Sequence, residues 1–407
     1  MKRIIWCLTL MTLLVCVGTW ALAEEGDYST GHYRLGGYYE YNLLEDGSVK
    51  ITKCNVSRTF LTIPEELDGR PVSAIGANAF TVDTGLETVE IPDSVTDIEG
   101  NPFARCFVLQ TIEVSPDHPT LALIDGVLFD KTEKRLLCYP AGLEADSYEI
   151  PQGITAIADG AFASCGNLER VVIPDSVTSI GARAFEDCEN LAQINLPDSV
   201  TAIGQGAFGN CSSLTGVEIP PEITAIPDDV FNGCYELASV TLPDGLTDIG
   251  VCAFSRCGLT ELVLPAGVTS IGESAFSECV YLESLTIPEG VTAIGDYAFC
   301  ECGGLESLTL PASVVSIGEN AFANCTGLAR LTIPEGVASI GSEAFARCRS
   351  LVEVTLPASV SFIGENAFEL CPQNLVLTVE RDSYARDYAR DNGIEYAYED
   401  ANDWLNE

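Results

Sequence analysis

Between Ile173 and Leu191 the chain reads IPDSVTSIGARAFEDCENL, and close copies of this segment follow one another over most of its length. The period is nearly strict. Phe162, Phe185, Phe208, Phe231, Phe254, Phe276, Phe299, Phe322, Phe345 and Phe368 advance by 23 residues, with one step of 22 between Phe254 and Phe276, and Phe80 and Phe103 extend the register upstream. Pro174, Pro197, Pro220, Pro243, Pro265, Pro288, Pro311, Pro334 and Pro357 keep the same beat. About twelve such units are well beyond the roughly three that a stacked repeat array needs for stability. A unit this short cannot bury its own apolar face, so neighbours must stack into one continuous core with a parallel sheet along one side.

Within the unit LESLTIPEGVTAIGDYAFCEC, Leu282, Leu285 and Ile287 follow L-x-x-L-x-I, the last two alternating as inward strand residues do. Glu283, Ser284 and Thr286 then point away from the core. Pro288 ends the strand because it has no N–H for the ladder. Val291 and Ile294 turn inward again, and Ala298 and Phe299 are expected in a short helical or 3₁₀ turn on the opposite side.

The recurring I-P-x-x-V-x-x-I-G-x-x-A-F-x-x-C-x-x-L unit resembles the BspA-like leucine-rich repeats of bacterial secreted and cell-surface proteins. The resemblance covers nearly all of the chain after its first residues, and it implies a leucine-rich repeat solenoid. Residues 24–71 resemble the family's N-terminal hairpin cap and first-repeat entry, and residues 72–372 its solenoid. A segment at about 115–150 resembles its hairpin insertion, with Asp125-Gly126 as a tight-turn signal. Residues 373–407 resemble its C-terminal helix-strand cap and tail, where Ser383 is an expected N-cap and Gly393 a helix stop.

Lys2 and Arg3, an apolar run from Ile4 to Trp20 and the sequence Ala21-Leu22-Ala23 read as a secretory signal peptide over 1–23, cleaved after Ala23. Cys16 follows Leu13-Leu14-Val15 rather than a small residue, which argues against a lipid anchor. No later stretch approaches the roughly 20 apolar residues of a membrane span. The net charge is −40, and removing Lys2 and Arg3 leaves 18 basic against 60 acidic residues, −42. Such a field repels phosphate backbones and anionic lipid and favours cationic partners. A hydrophobic content of 47% separates the chain from disordered acidic tails.

Cys106, Cys165, Cys188, Cys211, Cys234, Cys257, Cys279, Cys302, Cys325, Cys348 and Cys371 each lie three residues after the repeat's Phe and so form one column. In a secreted chain that count suggests disulfides, and stacked strands about 4.8 Å apart lie within the Cα range of a bridge. Stacked side chains, however, point in parallel, whereas a bridge needs Cβ atoms converging to about 3.8 Å. The reading is a column of buried thiols acting as small hydrophobes. Cys54, Cys138, Cys252 and Cys300 fall outside it, and Cys300-Glu301-Cys302 is a lone C-x-C.

Only His32 and His118 are present, so no zinc cluster or Cys-His or Ser-His site can be assembled inside the regular array, and no cofactor is expected. Asp228-Asp229 reads as a solvated loop. The outward strand positions remain, and the candidate ligand-binding residues are Glu218, Glu261, Glu283, Thr286, Glu306, Thr309, Arg330, Thr332 and Glu353 on an expected concave face. The expectation is a non-catalytic extracellular scaffold binding a protein or glycan. Adhesion to a host or matrix component is what the resemblance implies. The alternative is a structural spacer without specific ligand, its acidic face held by bridging cations such as Ca²⁺. Capped ends argue against end-to-end polymerisation.

Overall fold

The computed structural model describes residues 30–34, 38–55, 58–81 and 85–398. The expected signal peptide over 1–23, with its expected cleavage after Ala23, and the tail beyond 398 lie outside the described residues. The chain winds as a parallel-strand solenoid whose coils bond to one another along three lines, the first two divided at intervals into separate sheets. The first line is the strand of the L-x-x-L-x-I motif. Glu261–Val263, Ser284–Thr286 and Ser307–Thr309 pair in parallel and in register, as do Arg330–Thr332, Glu353–Leu356 and Val376–Val379. The second is a two-residue strand after the proline turn, running through Ala293–Ile294, Ser316–Ile317, Ser339–Ile340 and Phe362–Ile363.

The third line runs through the Ala-Phe turn expected as helical or 3₁₀, where alternate N–H groups close i→i−3 bonds, Cys300 to Tyr297 at 3.0 Å and Cys302 to Phe299 at 3.3 Å. The N–H groups of Tyr297, Phe299 and Glu301 donate to the carbonyls of Glu319, Ala321 and Ala323 in the next coil, each at 2.8 Å. Because these donors point along the solenoid axis, they cannot make the i→i−4 bonds of a helix. The alternation places Tyr297 and Glu301 at φ 57° and 62°. In other coils Asn210, Asn320, Asn324, Asp187 and Asp229 hold such left-handed positions, which Asn and Asp tolerate best among non-glycine residues. The glycine of the I-G step has a different role. A Cβ on Gly341 would sit 2.5 Å from the backbone of Gly318 and Glu319, so only hydrogen fits between these coils.

The interior is one apolar cluster running through the solenoid. Its axis is the phenylalanine column, whose rings from Phe162 to Phe368 stack with centroids 4.7–5.6 Å apart and planes within 3–15°. With one ring per coil, the stack advances in step with the backbone ladders, its centroid spacings mostly somewhat above the strand spacing of about 4.8 Å.

Both ends depart from this plan. Tyr38–Leu43 and Val49–Asn55 pair antiparallel, and Val49–Asn55 then pairs in parallel with Arg70–Ile75, turning a hairpin into the first rung of a ladder. At the other end the helix Tyr384–Asp391 begins at Ser383, whose Oγ accepts from the Arg386 N–H at 3.2 Å. The strand Glu395–Tyr398 then pairs in parallel with Val376–Val379 and closes the first ladder.

The insertion is better integrated than its sequence suggests. Leu121–Ile124 and Val127–Asp130 form a hairpin about Asp125-Gly126, both at positive φ. Arg135–Cys138 pairs antiparallel with Val127–Asp130 on one side and in parallel with Ala156–Ile157 on the other. Tyr139 then fills the phenylalanine slot. Its ring stacks on Phe162 at 5.4 Å, its N–H donates to Ala161 and its carbonyl accepts from the Cys165 thiol.

Candidate functional site

The thiol column has a specific local chemistry. Each column cysteine donates its S–H to the carbonyl of the aromatic slot residue one coil back, at 3.0–3.6 Å. The same carbonyl accepts the N–H of its own coil's cysteine, as Phe162 does from Cys165. The thiol thus takes the second lone pair of a buried carbonyl in a space sized for one sulfur. Column members from Cys165 to Cys371 are unbridged. Burial pushes the Cys234 and Cys279 thiols up to about 12, which keeps them protonated and poorly nucleophilic at neutral pH. Cys138, expected to have no repeating partner, is buried in the core directly before the slot residue Tyr139.

Other candidate chemistry is absorbed by structure. His118 is buried; its Nδ1 accepts from the Leu121 and Thr120 N–H groups, and Nε2 faces the Pro92 carbonyl at 3.3 Å. Asp228 accepts the Val251 N–H at 2.7 Å, and Asp229 accepts from Asn232 at 3.1 Å. Among the described residues no group of three or more His, Cys, Asp or Glu is arranged to hold a metal ion.

The outward positions of the first ladder behave otherwise. Glu218, Glu261, Glu283, Thr286, Glu306, Thr309, Arg330, Thr332 and Glu353 are all exposed. Register divides them into rows. Glu261 lines up with Ser284 and Ser307, and Thr286 with Thr309, while Arg330 lines up with Glu353. Glu283 and Glu306 form an adjacent row, joined by a backbone bond of 2.9 Å. Arg330 Nε meets Glu353 Oε2 at 3.2 Å. Shallow depressions open on this face, one lined by Arg170, Gln193, Asn195 and Gly216, another by Glu261, Val263, Ser284 and Thr286.

One part of this surface was not anticipated. Val263 occupies a row that holds threonine in the two following coils and is 85% exposed. At the edge where the chain enters the strand, Tyr235 and Tyr281 are 57% and 62% exposed, with Val280 beside Tyr281. The signal was the single 22-residue step. Its missing residue shortens the Cys-x-x-Leu loop to Cys257-Gly258-Leu259, lying between the coils that carry the two tyrosines. Gly258 packs directly on the Tyr235 carbonyl. The first ladder is interrupted here, Ser239–Thr241 and Glu261–Val263 belonging to separate sheets, as it is also before Gly216–Glu218 and before Arg330–Thr332.

Comparison with known proteins agrees with this architecture. A leucine-rich repeat protein from Bacteroides ovatus is 26% identical, with 88% of this chain and 98% of that one covered and a TM-score of 0.56. A leucine rich cell surface protein from Faecalibacterium prausnitzii is 27% identical over 89% of this chain and 97% of that one, with a TM-score of 0.44. No curated protein matches the sequence. The model of the BspA type leucine rich repeat region matches six copies, over residues 51–134, 138–260 and 247–374. With most of its length matched in this way, the chain belongs to the BspA-type leucine-rich repeat family.

Proposed function

We propose that the protein is an extracytoplasmic, non-catalytic binding scaffold that engages a protein or glycan through the outward face of its first ladder. The observation that carries this reading is that face itself. Exposed Ser, Thr, Glu and Arg side chains project from a backbone fixed by in-register pairing, so a broad surface is presented with little ordering cost on binding. The leader-like segment at 1–23 supports export. Among the described residues no helix is long and apolar enough to cross a membrane. Repeat scaffolds of this kind serve interaction, and the inert thiols and the structural roles of His118 and Asp228 favour recognition over catalysis.

The test is binding of the purified chain to arrays of matrix proteins, mucins and bacterial glycans across salt concentrations, with and without Ca²⁺. A saturable interaction lost when Glu283, Glu306 and Arg330 are changed together supports the reading. Weak binding erased by salt, accompanied by a large Ca²⁺-dependent gain in thermal stability, would favour a spacer instead.

A further inference from the structure

Charge is distributed unevenly along the first-ladder face. Between Arg183 and Arg330 the chain has a single basic residue, Arg256. Arg256 lies on the aromatic-turn side, two residues after Phe254, and is paired there with Glu278 at 3.0 Å. On the first-ladder face the acidic middle is bounded by Arg170 on one side and the Arg330–Glu353 pair on the other. Within it Glu236, Glu261 and Glu283 are exposed and, among the described residues, make no ion pair. The exposed apolar group Tyr235, Val263, Val280 and Tyr281 lies in the same coils. Tyr235 directly follows Cys234 and Tyr281 is second after Cys279, so they occupy neighbouring loop positions two coil steps, about 10 Å along the axis, apart, with only Gly258 of the shortened loop in the coil between them.

We propose that the shortened coil, Phe254 to Phe276, is the centre of recognition, and that its occupant is a basic segment of a partner protein. This rests on the scaffold reading above and specifies its partner. Aromatic faces and unneutralised carboxylates suit one ligand chemistry, a guanidinium or ammonium group that rests on a tyrosine ring while its N–H groups reach Glu236, Glu261 or Glu283. Val263 supplies apolar contact at the strand's far end. The shortened loop carries only Gly258 between Cys257 and Leu259, so it presents no side chain between the two rings.

The test uses the full chain expressed with its own leader and dodecapeptides that alternate Arg and Trp with Gly-Ser spacers, alongside Lys-for-Arg, Ser-for-Arg and Glu-for-Arg versions. At about 0.15 M salt, where distant charges are largely screened, the Arg and Lys peptides bind and the Ser and Glu peptides do not. Y235S/Y281S weakens binding about tenfold, and E236Q/E261Q/E283Q does so more than the charge-matched E319Q/E365Q/E369Q on the aromatic-turn side. An Asn inserted between Gly258 and Leu259 restores the 23-residue step and abolishes binding without lowering the melting temperature. Equal binding by all variants would reduce the effect to net charge and overturn the proposal. So would Tyr-dependent binding of a neutral hexasaccharide in place of the peptides. If an array partner depends on Glu283, Glu306 and Arg330 but not on Tyr235 and Tyr281, the scaffold reading stands and this proposal fails; if it depends on neither group, both fail.

Discussion

Raising the pH from 7 to 10 acts on this fold through its cysteine column. Burial raises the thiols of Cys165, Cys211, Cys234, Cys257, Cys279, Cys302, Cys325, Cys348 and Cys371 above the ordinary value of 9.0. The folded chain therefore holds protons that the unfolded chain releases. The stabilisation is complete below the unfolded value and is lost as pH rises toward the folded ones, about 11 for Cys371 and about 12 for Cys234 and Cys279. One pH unit above the unfolded value, each thiol favours unfolding by about 1.4 kcal/mol. Nine together amount to on the order of 10 kcal/mol, comparable with the whole stability of about 5–15 kcal/mol typical of a domain. Denaturant melts followed by circular dichroism at pH 7 to 10.5, under reducing conditions, should show a collapse beginning near pH 9. The variant C234A/C257A/C279A, starting lower at pH 7 because of its cavities, should lose about 4 kcal/mol less than wild type between pH 7 and pH 10. Parallel losses in the two proteins would refute the thiol mechanism.

Four further outcomes follow from the packing. Phe322→Ala removes a fully buried ring stacked on two neighbours and should cost about 3–5 kcal/mol in urea unfolding; a cost below about 1 kcal/mol would mean the column is not a close-packed axis. Ser383→Ala should cost about 1 kcal/mol by removing the N-cap acceptor, and truncation after Pro372 should lower stability or solubility by baring the last coil, which a stable monomeric product would contradict. Thiol reagents should label the column from Cys165 to Cys348 only after denaturation, while Cys252, Cys300 and Cys371, partly exposed, should react earlier in the native state; rapid native labelling of Cys211 or Cys325 would contradict the burial described.

The sequence disclosed the features that repeat as side chains. The 23-residue beat of Phe and Pro carried the solenoid, and L-x-x-L-x-I carried the inward and outward alternation, so the exposure of Glu283 and Thr286 was legible beforehand. What stayed hidden depends on the backbone. The bonds from Tyr297, Phe299 and Glu301 to the next coil leave no hydrophobic period, so the short turn at Ala-Phe was legible but the ladder running through it was not. Tyr139 was missed as a slot residue because the insertion separates Phe103 from Phe162 by 59 positions and the slot holds Tyr instead of Phe. The exposed group around Tyr235 and Tyr281 was announced only by one absent residue, whose effect on neighbouring coils appears once Gly258 is seen against the Tyr235 carbonyl.

The most direct measurement is carboxylate footprinting of the protein alone and with a bound partner. Glu218, Glu261, Glu283, Glu306 and Glu353 on the first ladder should lose reactivity on binding. Glu319, Glu365 and Glu369 on the aromatic-turn side should keep theirs. Protection confined to the aromatic-turn side or to the caps would contradict recognition through the first-ladder face.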